Sequence, residues 1–237
     1  MSDPHSALLH QRTVFDDWRS ISVAIYMALV GYGVMVGIPV ISTAWVSLLG
    51  FTEVQVGRIA GADLGGFSIG AVLISVVVAR VNRRYLVLGA AAIAIAANAL
   101  CMVMTSYEET LWLRVIAGIG SGAYTAVAIA TLAGTSKPAR AFNILLFSFA
   151  FSQGGELFLL PKLSMNQIYI FFIGTYLLGL LFLRWLPPRP VDKSLDVEID
   201  LEENGGRHHA THVHVPASVP WLVLGLSLIH ISEPTRH

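Results

Sequence analysis

Residues 59–104 read IAGADLGGFSIGAVLISVVVARVNRRYLVLGAAAIAIAANALCMVM. Two apolar runs, 59–79 and 85–104, flank a short basic stretch with Arg80, Arg83 and Arg84. Each run has about the 20 residues needed to cross a hydrocarbon core. No water is available there, so each run must satisfy its own backbone groups. Both are therefore read as membrane-spanning helices joined by a tight turn.

The same reading extends outward. Further apolar runs occupy residues 21–49, 111–133, 141–160 and 168–186, and a seventh starts near Val219. The 237-residue chain is 55% hydrophobic and 13% charged, with a mean hydropathy of +0.68. Soluble domains carry about 25% charge, so a soluble fold is excluded. Only 14 of the 30 charged residues fall within residues 20–186. The fold class expected is an all-α polytopic membrane protein with six transmembrane helices and a truncated seventh. The single cysteine, Cys101, excludes a disulfide framework and a CxxC site. The first apolar run is too long for a signal peptide, so no cleavable one is expected.

Basic residues set the orientation. With the N-terminus in the cytoplasm, Arg12, Arg19, Arg80, Arg83, Arg84, Lys137, Arg140, Arg184, Arg189, Lys193 and Arg207 all lie inside. The outer loops then hold Lys162 and, at a helix edge, Arg58, beside Glu53, Glu108 and Glu109. Residues 1–19 are expected as a cytoplasmic N-terminus and 20–186 as the six-helix body. Residues 187–216 open with prolines, turn acidic and end in histidines, so they are read as a cytoplasmic linker. Residues 217–237 hold the cut-short seventh run. The tract with His208, His209, His212 and His214 adjoins Gly205 and Gly206, which argues against a preformed metal site. No metal or other cofactor is expected.

Glycines recur in two triplets of spans. Gly31, Gly33 and Gly37 in the first span match Gly118, Gly120 and Gly122 in the fourth. Gly65–Gly66 in the second match Gly154–Gly155 in the fifth. This is the pattern of two inverted three-helix repeats. Small-xxx-small spacing at Gly57, Gly61 and Gly65, and at Gly118 and Gly122, predicts close helix packing. The second span, with Gly66 and Gly70 on its other side, is expected to be buried on two sides. The third and sixth, evenly apolar, are expected to face lipid.

Asp63, Arg114 and Glu156 stand inside spans, where ionisable residues are costly and need a partner or a wet cavity. Counted at about 1.5 Å per residue from the span ends, all three reach the outer third of the membrane. They are expected to meet, as a proton-coupling cluster or as an ion-pair gate. Polar residues that could line a substrate cavity are Tyr26, Tyr32, Tyr124 and Thr125, with Asn143 and Gln153 on the fifth span.

Three stretches resemble the major facilitator superfamily. Residues 70–84 are similar to its cytoplasmic loop motif, a glycine followed by Asp-Arg-x-Gly-Arg-Arg. Arg80, Arg83 and Arg84 match, while Ala79 and Asn82 replace the aspartate and the loop glycine. Residues 114–122, RVIAGIGSG, resemble the Arg-x-x-Gln-Gly-x-Gly motif, with Ala117 for glutamine. Residues 50–57 resemble the short outer loop. The fifth span departs from the antiporter signature, reading Ser152-Gln153-Gly154-Gly155-Glu156 with its proline late, at Pro161.

The resemblance implies the N-terminal half of a secondary transporter that moves a small organic solute by alternating access. It ties Arg114 to proton coupling. The partners implied are the lipid bilayer of the plasma membrane, the solute and a C-terminal half of the same protein; no nucleic acid is expected. Residues 226–236, LSLIHISEPTR, are similar to a reading frame of a transposase sequencing adapter, so residues from about 226 are expected not to be biological, the gene being cut inside the seventh run.

A rhomboid-like protease also has six spans. Ser121 would be its nucleophile, but its motif needs glycine where Ile119 stands, and no histidine occurs between Gln11 and Arg207. A seven-helix receptor does not fit a cytoplasmic N-terminus. No enzymatic activity is expected.

Overall fold

The computed structural model describes residues 13–188, and all regular structure in them is helical. Six long helices follow in order: α1 (Trp18–Leu49), α2 (Glu53–Val77), α3 (Arg83–Cys101), α4 (Tyr107–Ala133), α5 (Pro138–Leu159) and α6 (Met165–Leu181). Each contains most of one apolar run. The first five are long and apolar enough to cross a membrane, and α6 is a shorter apolar helix. The linker, the histidine tract, the seventh run and the adapter-like tail lie outside the described residues.

Local chemistry starts and stops each helix. Thr52 and Gln55 form a reciprocal capping pair at the start of α2, and Ser164 and Gln167 do the same for α6. Asn82 caps α3 by accepting from the Arg84 N–H at 3.0 Å. Pro138 opens α5, where its missing N–H costs nothing. Gly50 ends α1 in the left-handed region, φ +71°, where a side chain would be strained.

Neighbour relations obey an exchange of the two triplets. Helix α2 packs on α4 as α5 packs on α1; α3 packs on α4 as α6 packs on α1; α1 meets α4 and α3 meets α6. The inverted-repeat reading predicts these pairings.

The α2–α4 seam is the closest. A Cβ on Gly66 or Gly70 would strike the α4 backbone at Val115 or Ile119. A Cβ on Gly118 or Gly122 would strike the α2 backbone at Asp63 or Phe67. Gly120, two residues away, turns instead to α3 at Ala90 and Ala94. The glycine run of α4 thus lets two helices in, on two sides.

Two expectations are corrected. Among the described residues, Gly57, Gly61 and Gly65 do not form the packing stripe: nothing lies within 4 Å of a Cβ on any of them. Spacing of four marks a stripe but does not say which stripe a neighbour covers, and α4 covers the side with Gly66 and Gly70. Helices α3 and α6 are not the most exposed. Helices α2 and α5 are less buried than α3, and α6 buries Tyr169, Phe172 and Tyr176.

One end of the bundle, the basic end, is tied together by short segments. Thr13 Oγ1 donates to the Gly134 carbonyl at 3.1 Å, and Ser136 donates to Asp16 through both N–H (2.8 Å) and Oγ (3.0 Å). The Arg83 guanidinium lies 4.4 Å from the centre of the Phe15 ring and donates to Thr131 Oγ1. Arg84 donates to the carbonyls of Arg184 and Leu186, both at 2.8 Å. Two arginines of the loop motif therefore clamp helix ends, while Arg80 is exposed.

Candidate functional site

Arg114 and Asp63 meet inside the bundle. Arg114 Nη2 lies 2.6 Å from Asp63 Oδ2, with the side chains 1% and 6% exposed. The glycine seam is what permits this. Gly118 sits one turn beyond Arg114, and its bare Cα admits the α2 backbone at Asp63 itself. The pair has a third member. Arg114 Nη1 donates to Asn98 Oδ1 at 2.9 Å, and Asn98 Nδ2 donates to the Ala94 carbonyl at 2.8 Å. Asn98 on α3 is fully buried. It was legible only as an amide in an otherwise apolar run, and it orients the guanidinium. The result is a charged cluster spanning α2, α3 and α4.

Glu156 does not join it. The expectation that all three ionisable residues meet is corrected. Equal depth along the membrane leaves the rotation of each helix open, and α5 turns Glu156 toward α1. There its Oε1 lies 3.0 Å from the site of a Gly33 Cβ and accepts from Ser152 Oγ at 3.4 Å. Its Oε2 is buried without a hydrogen-bond partner among the described residues. A cavity of about 300 Å³ adjoins it, between α1, α5 and α6.

The polar candidates separate. Tyr32 and Thr125 line one cavity of about 370 Å³ between α1, α2 and α4. Tyr32 also stacks on Phe67, ring centres 5.6 Å apart. Tyr26 lines the Glu156 cavity instead and donates to the Thr175 carbonyl at 2.9 Å. Tyr124 is fully enclosed, packed edge-on against Tyr176 at 5.0 Å. On α5, Gln153 is half-buried and Asn143 exposed. A larger cavity of about 600 Å³ lies at the basic end between α1 and α5, beside Trp18, Lys137 and Arg140. Sequence reading missed it, because its walls are ordinary interfacial residues. The Ser121 hydroxyl is buried, donates to the Ala117 carbonyl and accepts from Tyr176 at 2.8 Å.

The family model of the Major Facilitator Superfamily matches residues 21–232, most of the chain. The chain belongs to the Major Facilitator Superfamily. No curated protein and no solved structure that was searched matches it. As a major facilitator transporter, it is an integral membrane protein. Its fourth-helix motif combines a buried guanidinium, Arg114, with the glycines that bring a carboxylate to it.

Proposed function

We propose that this protein is a proton-coupled secondary transporter of a small organic solute, working by alternating access. The Arg114–Asp63 pair is its coupling element. The observation that carries this reading is a buried ion pair bridging α2 and α4 through a glycine seam. Protonating that carboxylate removes the charge that holds the guanidinium, which links protonation to the contact between two helices. Tyr32 and Thr125 face the cavity between α1, α2 and α4 and are the residues assigned to solute contact. The exposed sides of α2 and α5 are where a second six-helix half would dock. The basic end faces the cytoplasm of a plasma membrane, in keeping with the distribution of Lys and Arg.

The test uses the full-length protein in liposomes with a pH-sensitive dye inside. Solutes are screened for ones whose addition moves protons. Asp63→Asn is expected to abolish solute-driven proton movement while keeping downhill solute flux. Equal proton movement in Asp63→Asn and wild type would overturn the assignment.

A further inference from the structure

The bundle places a carboxylate against a facing glycine twice. Asp63 of α2 lies against Gly118 of α4, and Glu156 of α5 lies against Gly33 of α1. The cation differs. One turn before Gly118 stands Arg114, which fills the space and pairs with Asp63. One turn before Gly33 stands Leu29, and the space beside it is the cavity of about 300 Å³. Among the described residues lining that cavity there is no Lys, Arg or His. Glu156 is 9% exposed, and its Oε2 has no donor among the described residues. Ser152 serves only the other oxygen. Phe171 and Phe172 supply aromatic wall, and the Tyr26 hydroxyl already donates its hydrogen bond to the Thr175 carbonyl. Helices α5 and α6 scarcely touch, which leaves a lateral way in between them.

We propose that this cavity is a binding site for a small organic primary ammonium, held by Glu156 Oε2 and by the aromatic walls. A buried carboxylate oxygen without a donor is costly, and an N–H donor carrying positive charge satisfies it best. Aromatic faces favour the same charge. The volume suits a single-ring amine. Two sources share this chemistry: a soluble amine and the ammonium of an ethanolamine lipid headgroup. The site is separate from the Arg114–Asp63 pair and does not depend on proton coupling.

The probe is 4-fluorophenethylammonium, followed by fluorine NMR on the full-length protein in detergent. Its neutral counterpart is 2-(4-fluorophenyl)ethanol. The ammonium is expected to bind at least tenfold more tightly than the alcohol. Glu156→Gln is expected to remove that preference. Leu29→Arg supplies an internal cation at the position matching Arg114 and is expected to abolish ammonium binding. Equal binding of ammonium and alcohol by the unaltered protein, or no binding of the ammonium, would overturn the proposal whether or not the variants fold. In nanodiscs, weakening of the probe when phosphatidylethanolamine replaces phosphatidylcholine identifies the lipid headgroup as the occupant. An unchanged affinity identifies a soluble amine.

Discussion

Removing one partner of the Arg114–Asp63 pair leaves the other charge buried and alone. Asp63→Asn strands the guanidinium, which is 1% exposed, with neutral amide oxygens at 63 and 98 in place of a countercharge. Two unit charges about 4 Å apart at an effective dielectric near 20 attract by about 4 kcal/mol. Breaking a buried pair costs about 3–5 kcal/mol in measured cases. Each single variant, Asp63→Asn or Arg114→Gln, is therefore expected to lose about 3–5 kcal/mol. The double variant has no stranded charge, and its two amides can still bond to each other and to Asn98. It is expected to lose no more than ~1–2 kcal/mol, the scale of imperfect neutral hydrogen bonds. The coupling between the two sites is then at least ~4 kcal/mol, above the usual range for contacting residues. The assay is reversible unfolding of the full-length protein in mixed detergent micelles, followed by tryptophan fluorescence. Trp45 is a suitable reporter, being buried and hydrogen-bonded to Tyr169. If the two single losses simply add in the double variant, the pair is not an energetic unit and the reasoning fails.

The glycine seam makes a contrasting prediction in the same assay. Gly70→Ala, Gly118→Ala and Gly122→Ala each push a Cβ into a facing backbone and are expected to cost about 1–3 kcal/mol. Gly57→Ala, Gly61→Ala and Gly65→Ala meet nothing among the described residues and are expected to cost less than the seam substitutions; the opposite ranking would show that the other side of α2 carries the closer packing. At the basic end, partial burial alone would raise Asp16, but the hydrogen bonds donated by Ser136 and Thr13 outweigh it and hold the carboxyl below its ordinary value. A depressed acid stabilises its fold above its unfolded value, about 4, and loses that contribution as the pH falls through the folded value. The segment ahead of α1 is therefore expected to loosen below about pH 4, read as a change in Trp18 emission; Asp16→Asn should show no such acid step.

The spans were legible because a hydrocarbon core dictates length and forbids unpaired backbone, so an apolar run has few alternatives. The Arg114–Asp63 meeting was half legible. Depth could be counted from the helix ends, and it placed Asp63, Arg114 and Glu156 in one layer. Azimuth could not be counted, and azimuth separates Glu156 from the other two. The same gap explains the glycines of α2, where two small stripes competed and only a neighbour's position chose between them. Asn98 escaped because an amide carries no charge to draw attention, though it completes the cluster. The ties at the basic end join residues far apart in the chain, Asp16 with Ser136 and Arg84 with Leu186. No local pattern announces such pairs.

The seam between α2 and α4 also bears on how the six-helix bundle can move. These helices belong to different triplets, yet they touch backbone to backbone, with no layer of side chains between them. Side chains are the compliant part of a packed interface; main chain against main chain has almost no give. The two triplets are thus welded along one edge and must tilt as a single lever. What compliance the bundle has lies at its opposite edge, where α5 leans on α1 and barely meets α6. A rocking stroke would flex that edge while the welded one stays stiff.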